Sequence, residues 1–272
     1  MELTPFTATL WLIFLFFAVI AIATRVRGRV RLGFTWRRPA PWGDAGRGVL
    51  IGLAAMAAVF CVELAAGLID VDRVAPSGSR LLAALGMFVP WAIFEELAFR
   101  VLILVGALVL FKRPWAALAV SALLFGLAHV PNDDATALSV LSTVVGGCMY
   151  GLAFLRTGRL WLPLLLHLTW NFAQGPIFGF PVSGDTDHST AFILQHASAG
   201  PAAVTGGAYG PEGGLLGISA RLLVIGLVLL ATHQTYRSPL LLGQQPRDTP
   251  RDHSHPPATA GGPSRATDPA RP

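Results

Sequence analysis

The stretch "FEELAFRVLIL", Phe94–Leu104, decides how this chain is read. Two adjacent glutamates, Glu95 and Glu96, and an arginine, Arg100, interrupt a run that otherwise reads as lipid-soluble helix. An ionisable side chain in hydrocarbon costs about 2.5–3.5 kcal/mol even on the lenient insertion scale. Three of them within six residues require either an aqueous setting or a set of partners and a task.

The rest of the chain rules out the aqueous setting. Of its 272 residues 53% are hydrophobic and only 13% charged, about half the charged fraction of a soluble domain. The apolar residues fall in long uninterrupted blocks rather than stripes, the signature of an all-α, multi-spanning helical bundle. Seven blocks are long enough to span: Pro5–Ala23, Gly48–Ile69, Leu81–Phe111, Pro114–Val130, Ala137–Leu155, Arg159–Phe172 and Gly214–Thr232. The third, at about 46 Å of helix against a core of about 30 Å, is too long for one straight span. Pro90 is expected to kink or divide it. A short surface helix before Pro90 would raise the count from seven toward eight.

The net charge of +5 fits membrane orientation better than nucleic acid, because the basic residues sit in short segments between blocks. With the N-terminus outside, 16 of the 20 Lys and Arg fall on the inner side, so the expected topology is N-out, C-in. The first block starts near Glu2, has no basic leader, and is followed by its arginines, so it reads as a span rather than a cleaved signal. The expected setting is the plasma membrane of a bacterial-type cell, with membrane lipids as partners and no nucleic acid.

Residues 1–236 are read as one membrane-embedded domain and residues 237–272 as a cytoplasmic, disordered tail, since the tail has almost nothing to bury. The Gly- and Pro-rich segment 173–213 falls outside the membrane, with a short helix expected around "STAFILQHAS" (189–198). No internal repeat appears, against a two-fold transporter architecture. Cys61 and Cys148 lie inside apolar blocks and read as free core thiols, with no disulfide framework. The Trp residues read as core or interface belt.

Polar residues inside the spans then become informative: Glu63, Glu95, Glu96, Arg100, His129, His167, Asn171 and Arg221. His188, His196, His253 and His255 lie in loop or tail, and His233 at a span end, where a cation is ordinary. Glu96 and Arg100 are four apart and share a helix face. Glu95 is turned about 100° away, which leaves it free of Arg100. In "FGLAH" Phe125 and His129 lie one turn apart, as do His167 and Asn171 in "HLTWN". The rise per residue puts Glu95 about 24 Å above the inner edge, His129 about 22 Å, Asn171 about 18 Å and His167 about 12 Å. Allowing a turn for tilt and boundaries, one water-filled pocket can hold them all.

A carboxylate and an imidazole together can deprotonate a water. A His and an Asn amide can donate to the oxyanion that its attack produces. The same atoms could instead bind zinc through Glu95, His129 and His167, although no HExxH is present. Both chemistries point to peptide-bond hydrolysis.

"EELAFR", "FGLAH" and "HLTWN" resemble, in order and on separate spans, the motifs EExxxR, FxxxH and HxxxN/D of the CPBP family of intramembrane proteases, also called the CAAX-protease or Abi family. The resemblance covers about 80 residues, 94–171. It implies that Glu95 and His129 activate the water and that His167 and Asn171 form the oxyanion hole, with Glu96, Arg100 and Phe125 in support. It also implies a glutamate-type endopeptidase with no cofactor, the family having first been described as metalloproteases. The substrate is a peptide or membrane-protein segment, lipidated ones included. Ordinary readings stand beside these: Glu63 as a snorkelling or paired residue, Phe125 as a core aromatic, each His as a bundle hydrogen-bonder. A proton-coupled transporter and a non-catalytic immunity or binding protein are the rival functions.

Overall fold

A computed structural model describes residues 40–187, 189, 191–197 and 200–232. The block Pro5–Ala23, the arginines from Arg25 to Arg38, His188, His233, His253, His255 and the tail 237–272 lie outside the described residues.

The described chain is mostly helical. Helix α1 (Ala40–Ala65) leads into strand β1 (Ile69–Val74). Helix α2 (Gly78–Glu96), a π-helical stretch (Leu97–Leu104) and α3 (Val105–Phe111) follow without a break. Then come α4 (Pro114–Ala128), α5 (Ala137–Thr157) and α6 (Trp161–Phe172). After a second π-helical turn (Ala173–Ile177), strand β2 (Ile193–Ala197) and the short α7 (Ala202–Thr205), α8 (Leu215–Ala231) completes the described chain.

The helix ends follow local chemistry. Ser77 caps α2 by accepting the Arg80 amide at 3.4 Å. Thr136 and Ser139 form a reciprocal capping box at the start of α5. Pro114 opens α4, where its missing N–H costs nothing. Gly158 closes α5 with φ 62°, a left-handed conformation that glycine adopts without steric cost.

Several expectations are corrected. The long third block is not divided at Pro90, which lies inside an unbroken α2. Its irregularity comes about two turns later, as the π-helical stretch that begins directly after Glu96. Such bulges widen the helix locally and concentrate at functional sites. The second block ends earlier than expected: α1 stops at Ala65, Gly67 turns the chain at φ 65°, and Ile69 already belongs to β1. The helix expected around "STAFILQHAS" is strand β2, paired antiparallel with β1 from Ile69–Ala197 to Val74–Ile193. A small two-stranded sheet, its strands far apart in sequence, is thus added to the all-α design, because neither segment is long enough to bury a helical face.

Among the described residues, two helices are long and apolar enough to cross a membrane, Trp42–Ala65 and Ala137–Thr157; Pro114–Ala128 and Leu215–Ala231 are shorter apolar helices. Outward-facing leucines suit a lipid surround rather than water: Leu50 on α1 and Leu222, Leu223 and Leu230 on α8 are exposed. Trp42 and Trp115 are exposed near the starts of α1 and α4, as a belt residue should be. Trp170 is fully buried.

Close helix packing holds the bundle. Where α1 crosses α6, a Cβ on Gly48 would lie 2.8 Å from the backbone of Leu162 and Leu166. Where α5 meets α4, a Cβ on Gly147 would come within 2.8 Å of Ala122 Cα. Small residues let helix backbones approach in this way, and dispersion between the helices stabilises the contact. Replacing Gly147 by valine is therefore expected to cost about 1–3 kcal/mol through overpacking, read as a lowered thermal midpoint in detergent. The inner core of Met56, Phe125, Met149, Tyr150, Leu162, Leu166, Trp170 and Val224 lies where α1, α4, α5, α6 and α8 converge.

Candidate active site

Three elements deliver the polar residues. Glu95 and Glu96 end α2, where the helix passes into its π-helical stretch. His129 is the C-cap of α4, at φ −93° and ψ 0°, just where the chain leaves the helix. His167 and Asn171 lie one turn apart on α6. Glu95, His129, His167, Asn171, Phe125 and Tyr150 all line one cavity of about 800 Å³. The depth difference of about 12 Å inferred for Glu95 and His167 from helix rise does not keep them apart: the two side chains touch.

The contacts form a chain. His129 Nδ1 donates to the Phe125 carbonyl at 2.8 Å, and its Nε2 faces Glu95 Oε1 at 4.0 Å. Glu95 Oε2 lies 3.4 Å from His167 Nε2. His167 Nδ1 donates to Glu96 Oε1 at 3.0 Å, and Arg100 Nε donates to Glu96 Oε2 at 3.2 Å. Arg100 also donates to Ser121 Oγ at 3.4 Å, and Ser121 in turn donates to the Phe99 carbonyl. Glu96 and Arg100 are wholly buried, whereas the Glu95 side chain is 21% exposed to the cavity.

The Glu96–Arg100 pair is thus present, but two details differ from the helix-spacing argument. Glu96 is shared between Arg100 and His167 rather than spent on Arg100 alone. Glu95 is placed between both imidazoles rather than facing His129 only. Phe125 is part of the site wall and of the core at once: its ring lies 4.8 Å from His129, 5.9 Å from His167 and 5.0 Å from the Arg100 guanidinium carbon.

Electrostatics account for the sharing. Two carboxylates and one arginine buried together leave one excess negative charge, and a low-dielectric interior penalises that heavily. The His167 imidazole lies between the two carboxylates, with Nδ1 on Glu96 and Nε2 3.4 Å from Glu95. Its Nδ1 donates to Glu96, whose carboxylate oxygens accept only. His129 differs: its Nδ1–H is fixed by a neutral carbonyl, so its Nε2 lone pair is left facing Glu95 across the gap.

A second buried polar cluster was not legible in the motifs. Glu212, in the loop before α8, pairs with Arg221 of α8 at 2.7 Å, and both line the cavity. Ser183 donates to Glu212 Oε1, and Ser142 and Arg221 donate to the Glu212 carbonyl. Arg221 stacks over Trp170, between His167 and Asn171 on α6. Asn132 donates to the Ser183 carbonyl at 3.1 Å, tying the loop after α4 to the loop after α6 at the cavity mouth. Burial, reinforced by the Glu212 carboxylate, raises the Tyr209 phenol above its ordinary range. Glu63 is buried with Oε1 unpartnered among the described residues, and it does not line the cavity. His196 pairs with Asp72 on the exposed sheet. Cys148 is half-buried, but Cys61 is exposed rather than in the core, on the outer face of α1.

Glu95 turns Oε1 to His129 and Oε2 to His167. Among the described residues no three His, Cys, Asp or Glu converge as metal ligands do. No step below is routed through a metal.

Residues 77–173 match the family model of Rce1-like proteins, described as type II CAAX prenyl endopeptidase Rce1-like. No curated protein and no solved structure gives a match. The matched segment contains the whole of α2 to α6, and with them every residue of the Glu95–His129–His167–Asn171 set. Residues 77–173 are thus similar to a family of type II CAAX prenyl endopeptidases, in the part of the chain that carries all four of those side chains.

Proposed function

We propose that this protein is an intramembrane endopeptidase in which Glu95 and His129 activate a water and His167 and Asn171 receive the oxyanion. The observation that carries the reading is the 4.0 Å gap between Glu95 Oε1 and His129 Nε2. It is too long for a direct hydrogen bond and short enough for one water to touch both acceptors.

The water donates to both atoms and turns its lone pair toward a substrate carbonyl. As its oxygen bonds to the carbonyl carbon, its proton passes to Glu95. The oxyanion accepts from His167 Nε2–H and the Asn171 amide, groups already oriented and so costing little reorganisation. Collapse breaks the C–N bond, and Glu95 returns the proton to the leaving amine. Glu96, held by Arg100, anchors His167 through Nδ1 and so turns Nε2 toward the cavity. The cycle ends with every residue in its starting state, one new amine and one new carboxylic acid, whose remaining proton passes to solvent.

The cavity also suits an amphipathic substrate. Met87, Phe88, Trp91 and Phe94 of α2 make one apolar wall, and Trp91 reaches the outer surface. A peptide or membrane-protein segment carrying a lipid fits that wall, in keeping with the prenyl endopeptidase description of the matched family. The full architecture we propose is a bundle of seven to eight spans, N-out and C-in. Residues 1–236 form the protease domain and residues 237–272 a cytoplasmic tail, in the plasma membrane of a bacterial-type cell.

Cleavage by the liposome-reconstituted protein tests this reading, with a farnesylated-cysteine peptide and an unmodified apolar peptide as probes. Hydrolysis of either supports it. Intact peptides, together with an unprocessed membrane-protein extract, contradict it. Turnover is expected to survive exhaustive chelation within about twofold, since the activating groups are a carboxylate and an imidazole. Loss on chelation with recovery on adding Zn²⁺ would overturn the metal-free mechanism.

A further inference from the structure

Tyr150 belongs to none of the three motifs, yet its ring lies flat against His167, with centroids 4.5 Å apart and planes 19° apart. It is 2% exposed. The sequence places it there through its neighbours on α5: Gly147 admits the Ala122 backbone and Gly151 admits Leu118, which seats α5 tightly on α4. Phe125 meets the Tyr150 ring edge-on at 6.2 Å, and the Arg100 guanidinium carbon lies 5.6 Å from it. Phe125 and Arg100 thus hold the tyrosine ring that lies against the imidazole.

The Nδ1–H bond to Glu96 anchors one corner of the imidazole but leaves the ring free to tilt about that anchor. Tilting would swing Nε2 away from the cavity. A flat aromatic partner removes that freedom. We infer that Tyr150 is a positioning residue that fixes the plane of His167, so that Nε2–H aims at the developing oxyanion. The inference rests on the proposed function, since it assumes the oxyanion role of His167. The flat ring carries the effect; the hydroxyl, which has Arg221 and Glu212 as charged neighbours, does not.

An oxyanion donor acts on the transition state and not on the bound substrate. Loss of the stack should therefore lower kcat and leave KM nearly unchanged. With the farnesylated-cysteine peptide as probe, Tyr150→Phe is expected to keep kcat within about twofold, and Tyr150→Leu to lose about 10–100-fold, the scale of a misaligned donor. Tyr150→Met, more adaptable in packing, is measured alongside to guard against misfolding of the leucine variant, with folding checked by size exclusion and thermal unfolding in detergent. A tenfold loss in Tyr150→Phe, wild-type kcat in a folded ring-less variant, or a loss confined to KM would each overturn the inference. Glu95→Gln in the same series separates the two failures. An active Glu95→Gln enzyme sinks the proposed function. An inactive one beside ring-less variants of normal kcat sinks only the role of Tyr150.

Discussion

Glu95→Gln is expected to lower peptide turnover by about 10²–10⁴-fold, the worth of a positioned general base, with little change in thermal stability. Glutamine keeps the shape of the side chain and can still contact His129 and His167. It cannot take the water's proton, nor return one to the leaving amine. Because Glu95 is the carboxylate open to the cavity while Glu96 is wholly buried, the substitution leaves the Glu96–Arg100 pair in place. Activity falls without the fold falling. The same change at Glu96 should act differently, by releasing His167 Nδ1 and unpairing Arg100.

Arg100→Leu is the largest expected effect on stability, about 3–5 kcal/mol, because it strands a buried carboxylate. Arg100 has no exposure, and it reaches Glu96 and Ser121 and lies over the rings of Phe125 and Tyr150. Removing it leaves Glu96 with His167 alone, inside a bundle whose alternative to pairing is hydrocarbon. The double variant Glu96→Gln with Arg100→Leu should recover much of that loss, since no charge is then stranded. Thermal unfolding in detergent measures both. A double variant no more stable than Arg100→Leu would show that packing, not charge, sets the cost. Turnover should stay low in the double variant, which keeps no carboxylate on His167 Nδ1.

The contrast between these substitutions also marks what the sequence could reveal. Helix spacing separated Glu95 from the Glu96–Arg100 pair, because an i,i+4 relation survives the passage from α-helix into π-helix at that point. The turn-length spacings of Phe125–His129 and His167–Asn171 likewise placed each pair on one face, and all of these residues line one cavity. Periodicity within a helix therefore predicted which residues meet.

Contacts between helices were beyond its reach. The bond from His167 to Glu96 and the stack of Tyr150 on His167 depend on how α2, α5 and α6 cross. Crossing follows from glycines such as Gly147, whose packing partner no local pattern names. Glu212 sits among glycines in a short turn and gives no periodic signal, so its pairing with Arg221 stayed hidden, although a lone arginine in an apolar block did ask for a partner. The π-helical stretch has no composition of its own. Strand β1, "IDVDRV", does alternate apolar and polar residues over its first four positions, the period of a half-buried strand. Its partner β2, "ILQHA", carries no such alternation, and a short apolar run of that length is ambiguous between helix and strand.

The central claim is that a Glu95-activated water cuts a peptide bond, and oxygen from that water must end in the product. The protein in liposomes, incubated with a membrane-protein extract in ¹⁸O-labelled water, should generate new peptide C-termini that carry the label. Mass spectrometry should find them with the wild type and not with Glu95→Gln. Labelled termini equally abundant with both proteins would contradict the account.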